Sequence, residues 1–343
     1  MPNEPRSGRA PAPRLLSLAR WESALVLILI AVVVFGGVEN SAFWSNTTIF
    51  FGGLDIGQVA IMALPMMMII LTGEIDLSVA SMLGLGASVF GYAFAHHAGV
   101  AGAMAVALAA GCLGGALNGY LVSYLGLPSI AVTIGTLTMF RGVAEVVLGQ
   151  TEVTGFPPSL SVIGNAPIFL HLAYPFFFFL VLAMIYWVVV HRTAFGRSLY
   201  AIGLNTEAAF FSGIRVKRTK FVLYVVSGLI CAATGIMYSL QSASAIYTAG
   251  TGLELNVVAI VLFGGVSIFG GRGTVLGVFL SAVIIGLTEV SFTLINISAQ
   301  DQQVIFGVLL LLSVVVPNAG EIYRRVRSHV GRAEDPVSAG GGL

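Results

Sequence analysis

Apolar residues run along this chain in long stretches broken by short polar or glycine-bearing intervals, and they recur from end to end. Each stretch fits the roughly 20 residues that a helix needs to cross a bilayer. Ten spans are predicted, at residues 22–38, 50–72, 76–95, 101–124, 129–148, 169–191, 221–241, 253–270, 275–296 and 303–317. The first apolar run, "SALVLILIAVVVFGGV", follows Arg14 and Arg20 as a signal peptide would. No small-residue cleavage site leading into a soluble domain comes after it, so it reads as a span. The chain then divides into an N-terminal tail (1–21), a membrane domain (22–317) with a cytoplasmic loop at 192–220, and a C-terminal tail (318–343) of disordered composition.

The basic residues orient the spans. Of 16 Lys and Arg, four precede span one, six lie in the loop after span six, one (Arg272) lies between spans eight and nine, and four close the chain. With both termini inside, all of these face the cytoplasm, and Arg141 alone falls within a span. The external loops hold Glu39, Glu152 and Asp301 and no Lys or Arg. They are short, the longest running from about 150 to 167, so no external capture domain is present.

Composition agrees with the pattern. The 343 residues are 57% hydrophobic and 9% charged, whereas about a quarter of an ordinary soluble chain is charged. A net charge of +1 gives no reason to expect a nucleic-acid partner. Cys112 and Cys231 lie in apolar runs and read as packing residues. Gly111, Gly115 and Gly119 repeat at four-residue spacing in span four, which admits a close neighbouring helix. Pro65 is expected to kink span two, beside the adaptable Met66, Met67 and Met68.

One loop breaks the apolar rule. "LYAIGLNTEAAFFSGIRVKRTKF", Leu199 to Phe221, carries Glu207, Arg215, Lys217, Arg218 and Lys220 around two phenylalanines. Asn205 or Thr206 can cap a short helix, Glu207 suits its first turn, and Gly213 can end it in the left-handed conformation. A helix over about Thr206–Ser212 shows Ala208 and Phe211 on one face, with Phe210 beside them. Exposed aromatics there mark either a partner site or a helix lying on the membrane.

Ionisable groups within spans are costly and are functional candidates by default. Glu74 and Asp76 sit in "TGEIDLSVAS", either as an interfacial turn in which Asp76 or Ser78 caps the next helix, or as a gate. Arg141 and Glu145 are four apart and read as a neutralising pair. Glu254 begins span eight, where a carboxylate suits the helix end. Asp55 and Glu289 lie in the outer parts of spans two and nine. No HExxH, Gly-x-Ser-x-Gly or Cys-x-x-Cys accompanies the histidines, and no enzyme is expected. "GGRGT", Gly270 to Thr274, fails the spacing of a phosphate loop and lacks its lysine, so uphill transport on ATP requires a second chain.

Four stretches carry a resemblance. "YAIGLNTEAAFFSGI", "GEIDLSVASMLGLG", "LPSIAVTIGTLTMFRG" and "GLELNVVAIVLFGGVSIFGGRGTVLG" occur in the order, and over the extent (about 50–316), of the permease subunits of ATP-binding-cassette importers for monosaccharides. The chain resembles the ribose, xylose, rhamnose and autoinducer-2 branch of that family, and its wording is most similar to the rhamnose type. Leu204 departs from the family, which has Gly or Asn there. The resemblance implies an all-helical fold like that of the vitamin-B12-importer permeases, with ten helices per subunit and two subunits around a path. It implies that Gly203, Asn205, Glu207, Ala208, Ala209, Phe210, Phe211, Ser212, Gly213 and Ile214 dock on a cytoplasmic ATPase. That partner would bind ATP and Mg, leaving this chain without a cofactor or metal. A periplasmic binding protein would deliver the sugar, with Glu152 and Asp301 as contacts, and a second permease would complete the path. The bacterial inner membrane follows as the location.

Neutral polyols call for a path or gate of small hydroxyl and amide groups. Ser78, Asn118, Thr133, Thr136, Thr138 and Ser267 are candidates, together with Glu74, Asp76, Arg141 and Glu254. Each Ser or Thr taken singly can equally bond its own helix. The alternative reading is a proton-coupled carrier for a small polar solute, working through Asp55, Glu74 or Glu289. A membrane enzyme or an inert scaffold is the remaining rival.

Overall fold

A computed structural model of the chain describes residues 14–160, 166–168 and 171–311, with side chains from residue 21 onward. Eleven helices of the bundle are α1 (Arg14–Glu39), α2 (Asn46–Leu71), α3 (Val79–Ala95), α4 (Gly99–Ser123), α5 (Ser129–Leu148), α6 (Tyr174–Arg192), α7 (Ala194–Leu204), α8 (Thr206–Phe211), α9 (Val216–Gln241), α10 (Leu253–Phe263) and α11 (Val275–Leu294). The chain is helical again over 299–311 (α12), where the described residues end. The last part of the tenth expected span and the C-terminal tail lie outside the described residues, as does most of the N-terminal tail.

Among the described residues, seven helices are long and apolar enough to cross a membrane: α1 from Trp21, then α2, α4, α5, α6, α9 and α11. The chain is a polytopic, all-helical membrane protein. α3 and α10 are apolar but have 17 and 11 residues. At 1.5 Å per residue α10 is only about 16 Å long, about half of a roughly 30 Å hydrocarbon core. The span expected at 253–270 is therefore too long. The helix stops at Phe263 because Gly265, at φ +84°, turns the chain into the left-handed conformation, its N–H donating to Leu262 O (2.9 Å) and that of Val266 to Val261 O (3.3 Å).

α2 is the axis of the fold. Its apolar window is 89% buried, and α6, α9, α10 and α11 pack around it. This explains its sequence, which is apolar on every side rather than on one stripe. The helix continues through Pro65, and Met66 and Met67 are wholly buried beside it as part of the core. α3 is held between α4, α5 and α9. The glycine row in α4 does what its spacing predicts. A methyl on Gly115 would lie 2.3 Å from Tyr224 O, and one on Gly228 would lie 2.2 Å from Gly111 O, so α4 and α9 meet backbone to backbone. α1 stands at the edge, its apolar window 11% buried, and touches α11 through Leu25, Leu280 and Ile284.

Two features have no sequence counterpart. α7 precedes the expected short helix. A two-residue antiparallel ladder, Val153–Thr154 with Ser244–Ala245, ties the ends of α5 and α9. Cys112 and Cys231 are free thiols.

Candidate coupling loop and the polar interior behind it

The polar loop folds as two short helices. Thr193 caps α7, its hydroxyl accepting from Gly196 N at 3.2 Å. Asn205 ends α7 and caps α8, its Oδ1 accepting from Ala208 N at 2.9 Å. At the far end Gly213, at φ +84°, closes the helix. Its N–H donates to Phe210 O (3.0 Å), and Ile214 N–H donates to Ala209 O (3.1 Å). This is the double bond pattern of a Schellman stop. Ala209 turns inward onto Ile202 and Val216, with Ile214 beside them. That anchoring sends Phe210 (64% exposed) and Phe211 (78% exposed) outward, edge to face at 5.7 Å, with Ala208 and Glu207 also exposed. Two adjacent exposed phenylalanines on a helix fixed at both ends form an apolar knob.

Gly203 shows how this knob is tied to the bundle. A methyl at Gly203 would lie 1.9 Å from Leu71 O and 2.4 Å from Gly271 N. Only a hydrogen fits between the end of α2 and the "GGRGT" turn. Gly271 N donates to the same Leu71 O at 2.9 Å, and Tyr200 Oη donates to Gly273 O at 2.7 Å. Burial pushes the Tyr200 phenol up to about 12, so it stays a donor at physiological pH. Leu204, the departure from the family pattern, covers Gly271. "GGRGT" is therefore a seat for α7. Ser267 belongs to this turn, its carbonyl accepting from Gly270 N at 2.9 Å.

The same junction opens onto the segment between α2 and α3. Glu74 is bonded to Lys220 of α9 at 2.5 Å, with both side chains largely covered. Two residues on, Asp76 is 3% exposed. Its Oδ1 accepts from Ser78 N (3.0 Å) and Ser78 Oγ (2.6 Å), and Ser227 Oγ donates to Oδ2 at 3.4 Å. Asn118 Nδ2 donates to Ser78 Oγ at 2.8 Å. Ser78 occupies the N-cap position of α3 without a side-chain cap bond, so the local bond is made by Asp76. From α5, Ser129 Oγ accepts from Ile75 N (3.2 Å), while Thr133 Oγ1 bonds Ser129 O (2.8 Å) and reaches Ile75 O (3.4 Å). Thr136 lies one turn further along the same buried face. Ser78, Asn118, Thr133 and Thr136 are thus brought together with Asp76 in the packed interior, whereas Thr138 faces outward.

Arg141 corrects the expected pair. Its Nη1 donates to Tyr247 O (2.8 Å) and Ala249 O (2.7 Å), while Glu145 accepts from Gln150 instead. A long guanidinium can reach carbonyls brought close by the loop before α10, and spacing within one helix carries no trace of that loop. Glu254 stands in the first turn of α10 as expected and acts electrostatically on Arg141. Asp55 and Glu289 face one cleft of about 200 Å³ between α2 and α11, with Thr47, Thr48 and Thr293. Tyr200, Ser129 and Ser227 carry no signal in the sequence. Lys220 stands out there as the end of the basic run at the return into the bilayer, but its pairing with Glu74, 146 residues away, does not.

This architecture is that of a polytopic helical membrane protein with an apolar knob outside the bundle and a buried polar cluster behind it. Residues 48–314 match the family described as the permease component of the branched-chain amino acid transport system, and the chain belongs to that family. It is similar to the autoinducer 2 import system permease protein LsrD of Photorhabdus temperata, at 30% identity over 86% of this chain and 90% of the relative. The same protein of Yersinia enterocolitica is 30% identical over 86% and 91%, and that of Salmonella paratyphi A over 86% and 90%. No solved structure matches.

Proposed function

We infer that this chain is the membrane-spanning permease subunit of an ATP-binding-cassette importer for a small, neutral, polyhydroxylated solute. Monosaccharides of the rhamnose, ribose or xylose type and the autoinducer 2 of the similar permeases define that class. The carrying observation is the Phe210–Phe211 knob, locked by Asn205 and Gly213 and seated on glycine against the end of α2. A helix built only to lie on lipid has no need of a backbone-to-backbone seat. A lever does.

In this reading both termini and the knob face the cytoplasm of a bacterial inner membrane, as the basic loops dictate. The chain crosses ten times, with α3 and with α10 extended by the turn that follows it, in an arrangement of the vitamin-B12-importer type. A second permease completes the path, and a periplasmic binding protein delivers the solute. A cytoplasmic ATPase carries ATP and Mg and grips Gly203 to Ile214. Closure of the ATPases moves the knob, and the Gly203 seat passes that motion to Leu71 and the segment through Glu74 and Asp76. Ser78, Asn118, Thr133 and Thr136 hold that segment from α3, α4 and α5, and serve as the gate's hinge. Arg141 and Glu254 brace the opposite end.

Purification of the tagged chain from native membranes in mild detergent tests this. An ATPase subunit is expected in stoichiometric amount, and it is lost when Phe210 and Phe211 are both changed to Glu. A chain that comes without any nucleotide-hydrolysing partner contradicts the reading and moves attention to Asp55 and Glu289 as the sites of a proton-driven carrier.

A further inference from the structure

Asp76 raises a question that the transport reading leaves open. Its carboxyl is almost fully buried, and its hydrogen-bond partners, Ser78 and Ser227, are neutral. Lys220, the cation that reaches this segment from α9, is bonded to Glu74. The titratable groups that act on it from α9 are Tyr224 and Cys231, neither of which supplies a positive charge. α4 and α5 present Asn118, Ser129 and Thr133, all neutral. The start of α3 offers one backbone N–H and a partial positive charge, a small return against the cost of an isolated ion in the interior.

Hydrogen-bond accounting points the same way. Asn118 is completely buried, and while its Nδ2 is used on Ser78, its Oδ1 has no partner. The donors of the cluster are committed elsewhere: Ser78 N–H and the hydroxyls of Ser78 and Ser227 point at the Asp76 carboxyl, and Asn118 Nδ2 points at Ser78 Oγ. None of these bonds supplies Asn118 Oδ1. One added proton on Asp76 turns an acceptor into the further donor that this buried cluster lacks.

We propose that Asp76, Asn118 and Ser227 form a proton-binding site at the break between α2 and α3, and that Asp76 sits there as the neutral acid, linking α3, α4 and α9. A neutral acid lets this segment shift within the interior without dragging a charge through it. The occupant of the site does not depend on which solute the permease carries or what drives it.

Infrared spectroscopy of the purified full chain at neutral pH provides the test, because a protonated carboxyl and a carboxylate absorb at separate carbonyl frequencies. The wild-type spectrum minus that of Asp76→Asn is expected to contain a protonated-acid band. A carboxylate band in its place overturns the proposal. Should Asp76→Asn fail to fold, carboxyl-labelled aspartate in an Asp55→Asn background carries the same decision. With Asp335→Asn added to that background, the one other aspartate is Asp301, exposed in the first turn of α12, so an isotope-shifted acid band must belong to Asp76. A thermal stability that rises in sodium chloride over choline chloride, and is flat in Asp76→Asn, would assign the site to a metal cation and also refute it.

Discussion

Replacing Gly203 by alanine probes the lever directly. The added methyl lands 1.9 Å from Leu71 O and 2.4 Å from Gly271 N. An ordinary contact begins at 3.4 Å, so α7 has to back away from the end of α2 by about 1.5 Å. Both obstacles are backbone atoms, and neither can rotate aside as a side chain would. Overpacking of this kind costs about 1–3 kcal/mol, and two backbone neighbours place this case near the upper part of that range. If the loss falls on the seated state, about 2 kcal/mol lowers its population relative to the unseated one roughly thirtyfold. The knob itself is untouched, since Asn205, Ala209 and Gly213 keep their bonds. Gly203→Ala is therefore expected to retain the ATPase during purification while ATP-driven uptake falls at least tenfold. Gly135→Ala serves as the control, because nothing lies within 4 Å of the added methyl. Wild-type uptake by Gly203→Ala would refute the seat. So would loss of the ATPase together with uptake, since that outcome places the damage in the docking helix.

Other substitutions separate the parts of the structure. Asn205→Ala removes the α8 cap and should cost about 1 kcal/mol, weakening ATPase retention, while Asn205→Asp keeps it. Arg141→Gln gives up charged bonds to Tyr247 O and Ala249 O, and should lower the stability of the detergent-purified chain by about 1.5–3 kcal/mol. Glu145→Gln should change it by less than about 0.5 kcal/mol, and the reverse order would restore the helical pair as the real partnership. Lys220 and Glu74 should show a coupling of about 1–2 kcal/mol in a double-mutant cycle, and independent effects would count against the observed bridge.

What the sequence disclosed follows the range of the forces involved. Asn205, Glu207 and Gly213 act on their own neighbours, so α8 and its limits were legible to within a residue. The glycine row of α4 announced a close partner without naming α9. α7 was not foreseen, because its apolar face is completed by the end of α2 and the Gly270–Gly271 turn, far away in the chain. The same distance hid the purpose of "GGRGT", which looks like a failed phosphate loop until Gly203 is set against it. Hydropathy carried span eight on to residue 270, since Val266, Ile268 and Phe269 are apolar, although the backbone had already turned at Gly264. Arg141 was matched with the one carboxylate that spacing could offer, while its real acceptors are carbonyls that any residue supplies. Asp76 was identified by its cost, but the hydroxyls and amide around it come from α3, α4 and α9, and their meeting is a property of the packing alone.

Uptake by reconstituted vesicles decides the central claim. The permease is placed in proteoliposomes with its co-purified ATPase and a cognate binding protein, and labelled monosaccharides and autoinducer 2 are offered on the side of the binding protein. The account predicts accumulation that requires ATP on the opposite side, requires the binding protein, and disappears when Phe210 and Phe211 are changed to Glu. Accumulation driven by a pH gradient or membrane potential with no ATP present, and abolished by a single change at Asp55 or Glu289, would contradict it.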